Sequence, residues 1–192
     1  MKKTYLFALL CALLTLGSNV VWGDVAAVGD ILWAETFEHF GTQTPSVAGK
    51  GYGTTTFDNA NITYEQSSPN TKGYNEKLAG GVAPELLLAK SNTTWTIKGI
   101  PTGESTEMAL TFLSNRTTFT LTTSSADLAI SGKQTSWTIK VKDGKTSPTT
   151  FDLVLKNTGS NNARIDNVEL KVVVAGEPST QKTTVLVRQV QT

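Results

Sequence analysis

Between residues 93 and 155 the chain repeats one pattern, with apolar side chains at every second position and mostly threonine or lysine between them. Trp137, Ile139 and Val141 alternate with Thr138, Lys140 and Lys142, and Asp143-Gly144 then makes a turn. Trp95 and Ile97 alternate with Thr94, Thr96 and Lys98. Met108, Leu110 and Phe112 mark the inward face of the next segment, Phe119 and Leu121 that of another, and Phe151, Leu153 and Leu155 that of a later one. A period of two belongs to a strand with one face on a core. Threonine on the other face favours extended backbone without adding exposed apolar surface. No stretch beyond the N-terminus keeps a helical period, so the chain reads as all-β. The expected fold is a two-sheet antiparallel β-sandwich, a jelly roll, of about eight or nine strands.

The remaining segments are read the same way. Residues 31–38 are expected to be the first strand. Residues 54–64 hold another, broken at Asp58-Asn59, and 128–130 form a short one. Residues 86–88 fit a strand or a single helical turn. Residues 41–53 and 66–81 read as long loops, which is where binding usually resides.

Residues 1–23 read as a signal peptide: Lys2 and Lys3 precede an apolar run over 5–16, and Val21 and Gly23 suit the −3 and −1 positions. The run is too short to span a bilayer, so no transmembrane segment is expected in the mature chain. Lipidation at Cys11 would need a small residue before it, and Leu10 stands there. Residues 24–175 are expected to form one sandwich domain, and 176–192 a linker-like tail with a possible extra strand at 183–191. Export is expected, to the periplasm, the cell surface or the medium. Removing Lys2 and Lys3 leaves 15 basic against 16 acidic residues, a balance that gives no ground for binding nucleic acid. The single cysteine leaves with the signal, so no disulfide holds the domain.

Two carboxylates interrupt apolar faces. In the segment 161–174, Asp166 shares its parity with Val168, Leu170 and Val172; in 31–38, Glu35 shares its parity with Trp33 and Phe37. A carboxylate facing a core is costly unless it is paired, hydrogen-bonded or bound to metal. Inward acids on the first and last recognisable strands point to a shared site. Either Ca2+ joins them, with Glu38, Asn167 or backbone carbonyls completing its six to eight oxygens, or each accepts backbone N–H groups. Acids at the ends of core strands offer no evident cleft for glycoside hydrolysis. No serine or threonine has a convincing histidine partner, and His39 is the only histidine. No catalytic residue is assigned, and the chain is not expected to be an enzyme.

Tyr52 and Tyr74 each follow a glycine in a presumed loop. A sugar ring can stack on such an aromatic, with Asn75, Asn70 and Lys72 meeting its hydroxyls; equally, each tyrosine can pack its loop on the sheet edge. Arg164, beside Asn161 and Asn162, can meet an anionic ligand or remain solvated. Trp95 and Trp137 lie on inward parities and are read as core.

Three motifs carry a resemblance. They are Trp33-x-Glu35-x-Phe37, Gly80-Gly81-Val82-Ala83-Pro84-Glu85-Leu86, and Ala163-Arg164-Ile165-Asp166-Asn167-Val168-x-Leu170. Over roughly residues 31–174 the chain resembles the galactose-binding-like jelly rolls of exported Bacteroidetes proteins, which are similar to carbohydrate-binding modules. The resemblance implies a structural calcium ion held by a first-strand acid and a last-strand aspartate. Glu35 and Asp166 match those positions, with Glu38 a second candidate. It also implies a non-catalytic module whose partner is a glycan or surface polysaccharide. The alternative is a structural or adhesive domain that contacts protein and binds no sugar.

Overall fold

The computed structural model describes residues 25–42, 51–52 and 57–177, of which 41–42 and 51–52 are described as backbone alone. The alternating segments form strands, and their apolar parities meet between two antiparallel sheets. The smaller sheet has the order β3 (Thr63–Gln66), β6 (Thr93–Pro101), β11 (Thr150–Asn157) and β8 (Phe119–Thr123). The larger runs β2 (Gly51–Tyr52), β4 (Lys72–Tyr74), β5 (Glu85–Leu88), β12 (Ala163–Val174), β7 (Glu107–Ser114), β10 (Ser136–Val141) and β9 (Leu128–Lys133), with β1 (Ile31–Glu35) also paired to β12. Trp95, Ile97, Met108, Leu110, Ile139, Leu153 and Leu155 are all buried between the sheets. Trp137, also on an inward parity, is buried.

An aromatic cluster fills one end of the core. Trp95 stacks on Tyr64 with ring centroids 5.8 Å apart, Tyr64 stacks on Phe57 at 3.7 Å, and Trp33 and Phe37 tilt against Trp95 at 6.0 and 5.7 Å. Each such side chain contributes roughly 1.5–3 kcal/mol when removed from water.

Among the described residues twelve strands form where eight or nine are expected. The additional ones are β2, β4 and β5, in stretches read as loop or left undecided. They are short, and β5 is buried at all four positions, so neither a run nor an alternation marks them. The first strand stops at Glu35 because Phe37 takes a left-handed turn (φ 61°) into a short 3-10 helix, Glu38–Thr42. Phe37 stays fully buried all the same. Of the described residues 57–64, only Thr63 and Tyr64 are strand; Asp58 lies in a bend, and Asn59 opens a turn closed by the N–H of Ile62. The expected signal peptide, the extra strand at 183–191 and most of the 41–53 loop lie outside the described residues. No described helix is long and apolar enough to cross a membrane.

Strand β12 positions the candidate site. Along one edge it pairs with β7. Along the other, Ala163–Ile165 pair with β5 and Val168–Lys171 pair with β1, so two strands share that edge end to end. At the junction the register slips between Asp166 and Glu169, and Asn167 adopts a left-handed φ of 47°. This β-bulge inserts one residue and switches the inward parity. Ala163 and Ile165 face the core before it; Val168, Leu170 and Val172 face the core after it.

Candidate functional site

The bulge corrects the expected direction of Asp166. Its neighbour Ile165 is in the core, and its register partner Leu113 lies on the outward parity of β7 and is exposed. Asp166 therefore sits on the outer face of the larger sheet, while Glu35, paired to Val168, faces the space between the sheets. The two acids are on opposite faces of one sheet and do not meet.

Glu35 is buried and enclosed by donors. The N–H of Phe37 reaches Oε1 at 3.2 Å, the N–H of Asp58 reaches Oε1 at 3.1 Å and Oε2 at 3.0 Å, and the Tyr64 hydroxyl donates to Oε2 at 3.2 Å. Burial pushes its pKa up to about 8, with the nearby charge of Asp58 adding to the rise against the pull of those donors. Asp58 accepts from the backbone N–H and hydroxyl of Thr36, each at 2.6 Å, and pairs with His39 Nδ1 at 2.7 Å. Burial acts to raise Asp58, but these partners outweigh it and hold the carboxyl below its usual range. The arrangement ties the turn at residue 58 to the end of β1.

Asp166 meets a different acid, Glu85, on neighbouring β5. Both are essentially buried. Residues 75–84 close over them. The N–H of Ala79 donates to Glu85 Oε2 at 2.8 Å, the backbone N–H of Val82 faces Asp166, and a β-carbon on Gly81 would stand 1.9 Å from Asp166 Oδ2. Asp166 Oδ1 accepts the N–H of Asn167 at 2.8 Å, whereas Oδ2 and Glu85 Oε1 have no hydrogen bond. Burial pushes Asp166 up to about 6, and the charges of Glu85 and Glu38 add to the rise. Burial raises Glu85 as well. Glu38, at the start of the 3-10 helix, is exposed.

Arg164 is half-buried and paired rather than solvated. It binds Glu76 through Nη2 and through Nε at 3.0 Å. The same Nε lies 3.0 Å from Glu85 Oε1, but its one N–H is used on Glu76. The guanidinium carbon stands 4.5 Å from the centre of the Tyr74 ring, a cation–π contact. Tyr74 is on β4 rather than in a loop. Residues Gly51 and Tyr52 pair with Tyr74 and Gly73, but the side chain of Tyr52 lies outside the described residues. Asn75 is half-buried at the start of the covering segment.

Beside Tyr74 the same outer face opens into a groove of about 380 Å3. Leu87 and Ala89 form its floor, and Tyr74, Lys72, Asn70, Ser68, Asn162, Lys90 and Ser91 surround them. Asn162 Oδ1 accepts the N–H of Lys90 at 3.0 Å, and Thr71 Oγ1 accepts the N–H of Ala89 at 3.1 Å, which fixes the rim to the floor. Of the residues proposed from sequence, Tyr74, Asn70 and Lys72 come together here; Asn75 and Arg164 do not line it. Lys90, Asn162 and Glu85 were missed. Only Glu85 leaves a signal, as a charged residue opening an otherwise apolar run.

No family model, curated protein or solved structure matches this chain.

Proposed function

We propose that the chain is a non-catalytic carbohydrate-binding module of an exported bacterial protein, with a glycan as its ligand. The observation that carries this reading is the groove beside Tyr74. It combines one aromatic ring with amides and hydroxyls over an apolar floor, and its volume of about 380 Å3 is in the range of small-ligand sites, roughly 300–1,000 Å3. Sugars need both elements, a surface for their C–H faces and partners for their hydroxyls. The carboxylates that do come together, Glu85 and Asp166, are closed over by residues 75–84 and present no acid–base pair to a substrate.

A structural calcium ion belongs to the same reading, and the donor set favours one acid over the other. Glu35 does not suit it, because both of its oxygens already accept N–H or O–H groups. Asp166 suits it better, since Oδ2 is buried without a hydrogen bond, whereas Glu85 Oε1, also without one, already lies 3.0 Å from the Arg164 guanidinium. When bound, calcium would neutralise Asp166 and add to its hold on residues 75–84.

The second reading is a structural or adhesive domain. It is favoured by the exposed apolar side chains Leu78, Val82 and Leu113 around the covering segment. Affinity electrophoresis through gels that each contain one polysaccharide separates the two. Retardation by at least one polymer, lost in Tyr74→Ala with little change in melting temperature, is the expected result. Free migration in every polymer would overturn the carbohydrate reading and leave the adhesive one.

A further inference from the structure

The chemistry of the groove narrows its ligand, and this step rests on the carbohydrate reading above. Among its lining residues there is no aspartate or glutamate, but there are two lysines. Lys72 enters from β4 and Lys90 from the end of β5. Neither forms an ion pair among the described residues, in contrast to Arg164, whose charge is taken up by Glu76 and Glu85. Lys72 Nζ lies 5.7 Å from the centre of the Tyr74 ring, beside the proposed sugar surface.

The polar atoms around the lysines lean the same way. Asn162 uses its oxygen on the N–H of Lys90, which leaves its Nδ2 as the remaining group to offer a ligand. Ser68 uses its oxygen on the N–H of Asn70 at 3.2 Å and retains a hydroxyl proton. A neutral sugar presents hydroxyls that both donate and accept, and it is best met by a mixed set in which carboxylates or carbonyls take the donated protons. A set dominated by N–H and O–H donors, with two ammonium groups and no carboxylate, is matched by a ligand that mainly accepts.

We propose that the groove binds an acidic sugar, one carrying a carboxylate or a sulfate ester, with Lys72 and Lys90 on the anionic group and Tyr74 against the ring. The covering acids Glu76 and Glu85 do not line the groove, and both face Arg164 rather than the lysines.

Matched polymers test it. Polygalacturonate is compared with its fully methyl-esterified form, and dextran sulfate with dextran, by affinity electrophoresis and titration calorimetry on the protein. The expected result is binding to the charged member of at least one pair and not to its neutral counterpart; which pair responds separates carboxylate from sulfate. Lys72→Gln and Lys90→Gln should each weaken that binding about tenfold, the effect of one lost charge-assisted contact. Lys140→Gln, at an exposed position of β10, should leave it unchanged. Equal binding to both members of a pair, indifferent to Lys72→Gln and Lys90→Gln, would overturn the acidic-sugar assignment while leaving the carbohydrate reading standing. Binding to charged polymers that Lys140→Gln weakens as much as Lys90→Gln would overturn it as non-specific charge attraction. Binding to none of these four, with retardation by some other neutral glycan, would also overturn it. Failure with every glycan would remove both readings.

Discussion

Gly81 lies directly against Asp166: a β-carbon at Gly81 would stand 1.9 Å from Asp166 Oδ2 and 2.7 Å from its Cγ. No side chain fits there, so the covering segment can reach the bulge only with glycine at this point. Gly81→Ala should therefore cost about 1–3 kcal/mol, the usual penalty for forcing a methyl group into packed space. Asp166→Ala removes the atoms it would strike. In that background Gly81→Ala should cost at least about 1 kcal/mol less, a coupling that a double-mutant cycle by urea denaturation resolves. Additive losses would mean that residues 75–84 rest on the sheet elsewhere.

The same carboxylate decides the metal question. If calcium sits at Asp166, millimolar calcium should raise the melting temperature of EDTA-treated protein. Asp166→Asn should abolish the rise, and Glu35→Gln should retain it, because Glu35 faces the other side of the sheet with its oxygens occupied. A response lost in Glu35→Gln but kept in Asp166→Asn would place the ion between the sheets. No response, with no metal by elemental analysis, would remove calcium from the proposal.

The two acids show what the sequence makes legible. Strands of the regular part of the sandwich were readable because each keeps one parity along its length, as in Trp137, Ile139 and Val141. Glu35 was readable as an inward acid for the same reason. Extending a single parity through residue 167 puts Asp166 on the wrong face. The clue was present: Ala163 and Ile165 are apolar on odd positions, and Val168 and Leu170 on even ones. A switch of that kind marks a bulge, and asparagine tolerates the left-handed conformation that Asn167 adopts. The partners of these acids were not legible. Asp58 is 23 positions from Glu35, and Glu85 is distant in sequence from Asp166, so only the strand pairing brings them near. The groove is harder still, since Lys90 and Asn162 meet across a separation of 72 residues.

Stability should depend on pH through Glu35. Its pKa is about 8 in the folded protein against an ordinary 4.5, so between those values the folded state holds more protons than the unfolded state. Stability then falls as pH rises through this window, by at most about 1.4 kcal/mol per pH unit, and levels off above pH 8. Asp166, raised to about 6 from 3.8, adds a slope of the same sign below pH 6. Asp58 is held low, so its contribution is lost only in acid. Glu85 is raised by burial too, so its slope has the same sign, and the part of the fall between pH 6 and 8 that belongs to Glu35 is the part a Glu35 substitution removes. Urea denaturation at pH 6, 7 and 8 should show it in the wild type, and Glu35→Gln should flatten it. A slope that survives this substitution would assign the proton to another group.

Asn157 joins the two sheets at the groove. Fully buried on β11, it donates from Nδ2 to the carbonyls of Leu88 at 3.4 Å, Ala89 at 3.1 Å and Asn161 at 2.9 Å. Its Oδ1 accepts the N–H of Gly159 at 3.0 Å and the Thr118 hydroxyl at 3.2 Å. Ala89 is the groove floor, and Asn161 precedes Asn162 on its rim. Asn157→Ala leaves several buried groups without partners and should cost about 2–4 kcal/mol. Asn157→Asp should be worse, because a carboxylate oxygen would replace the donor that faces three carbonyls. The denaturation midpoints of the two variants check this order. If the groove binds glycan as proposed, both variants should also bind it more weakly than the wild type where enough folded protein remains, since the amide fixes floor and rim to each other. Losses below about 0.5 kcal/mol in both would mean that water replaces the amide and that the groove is held by its own hydrogen bonds.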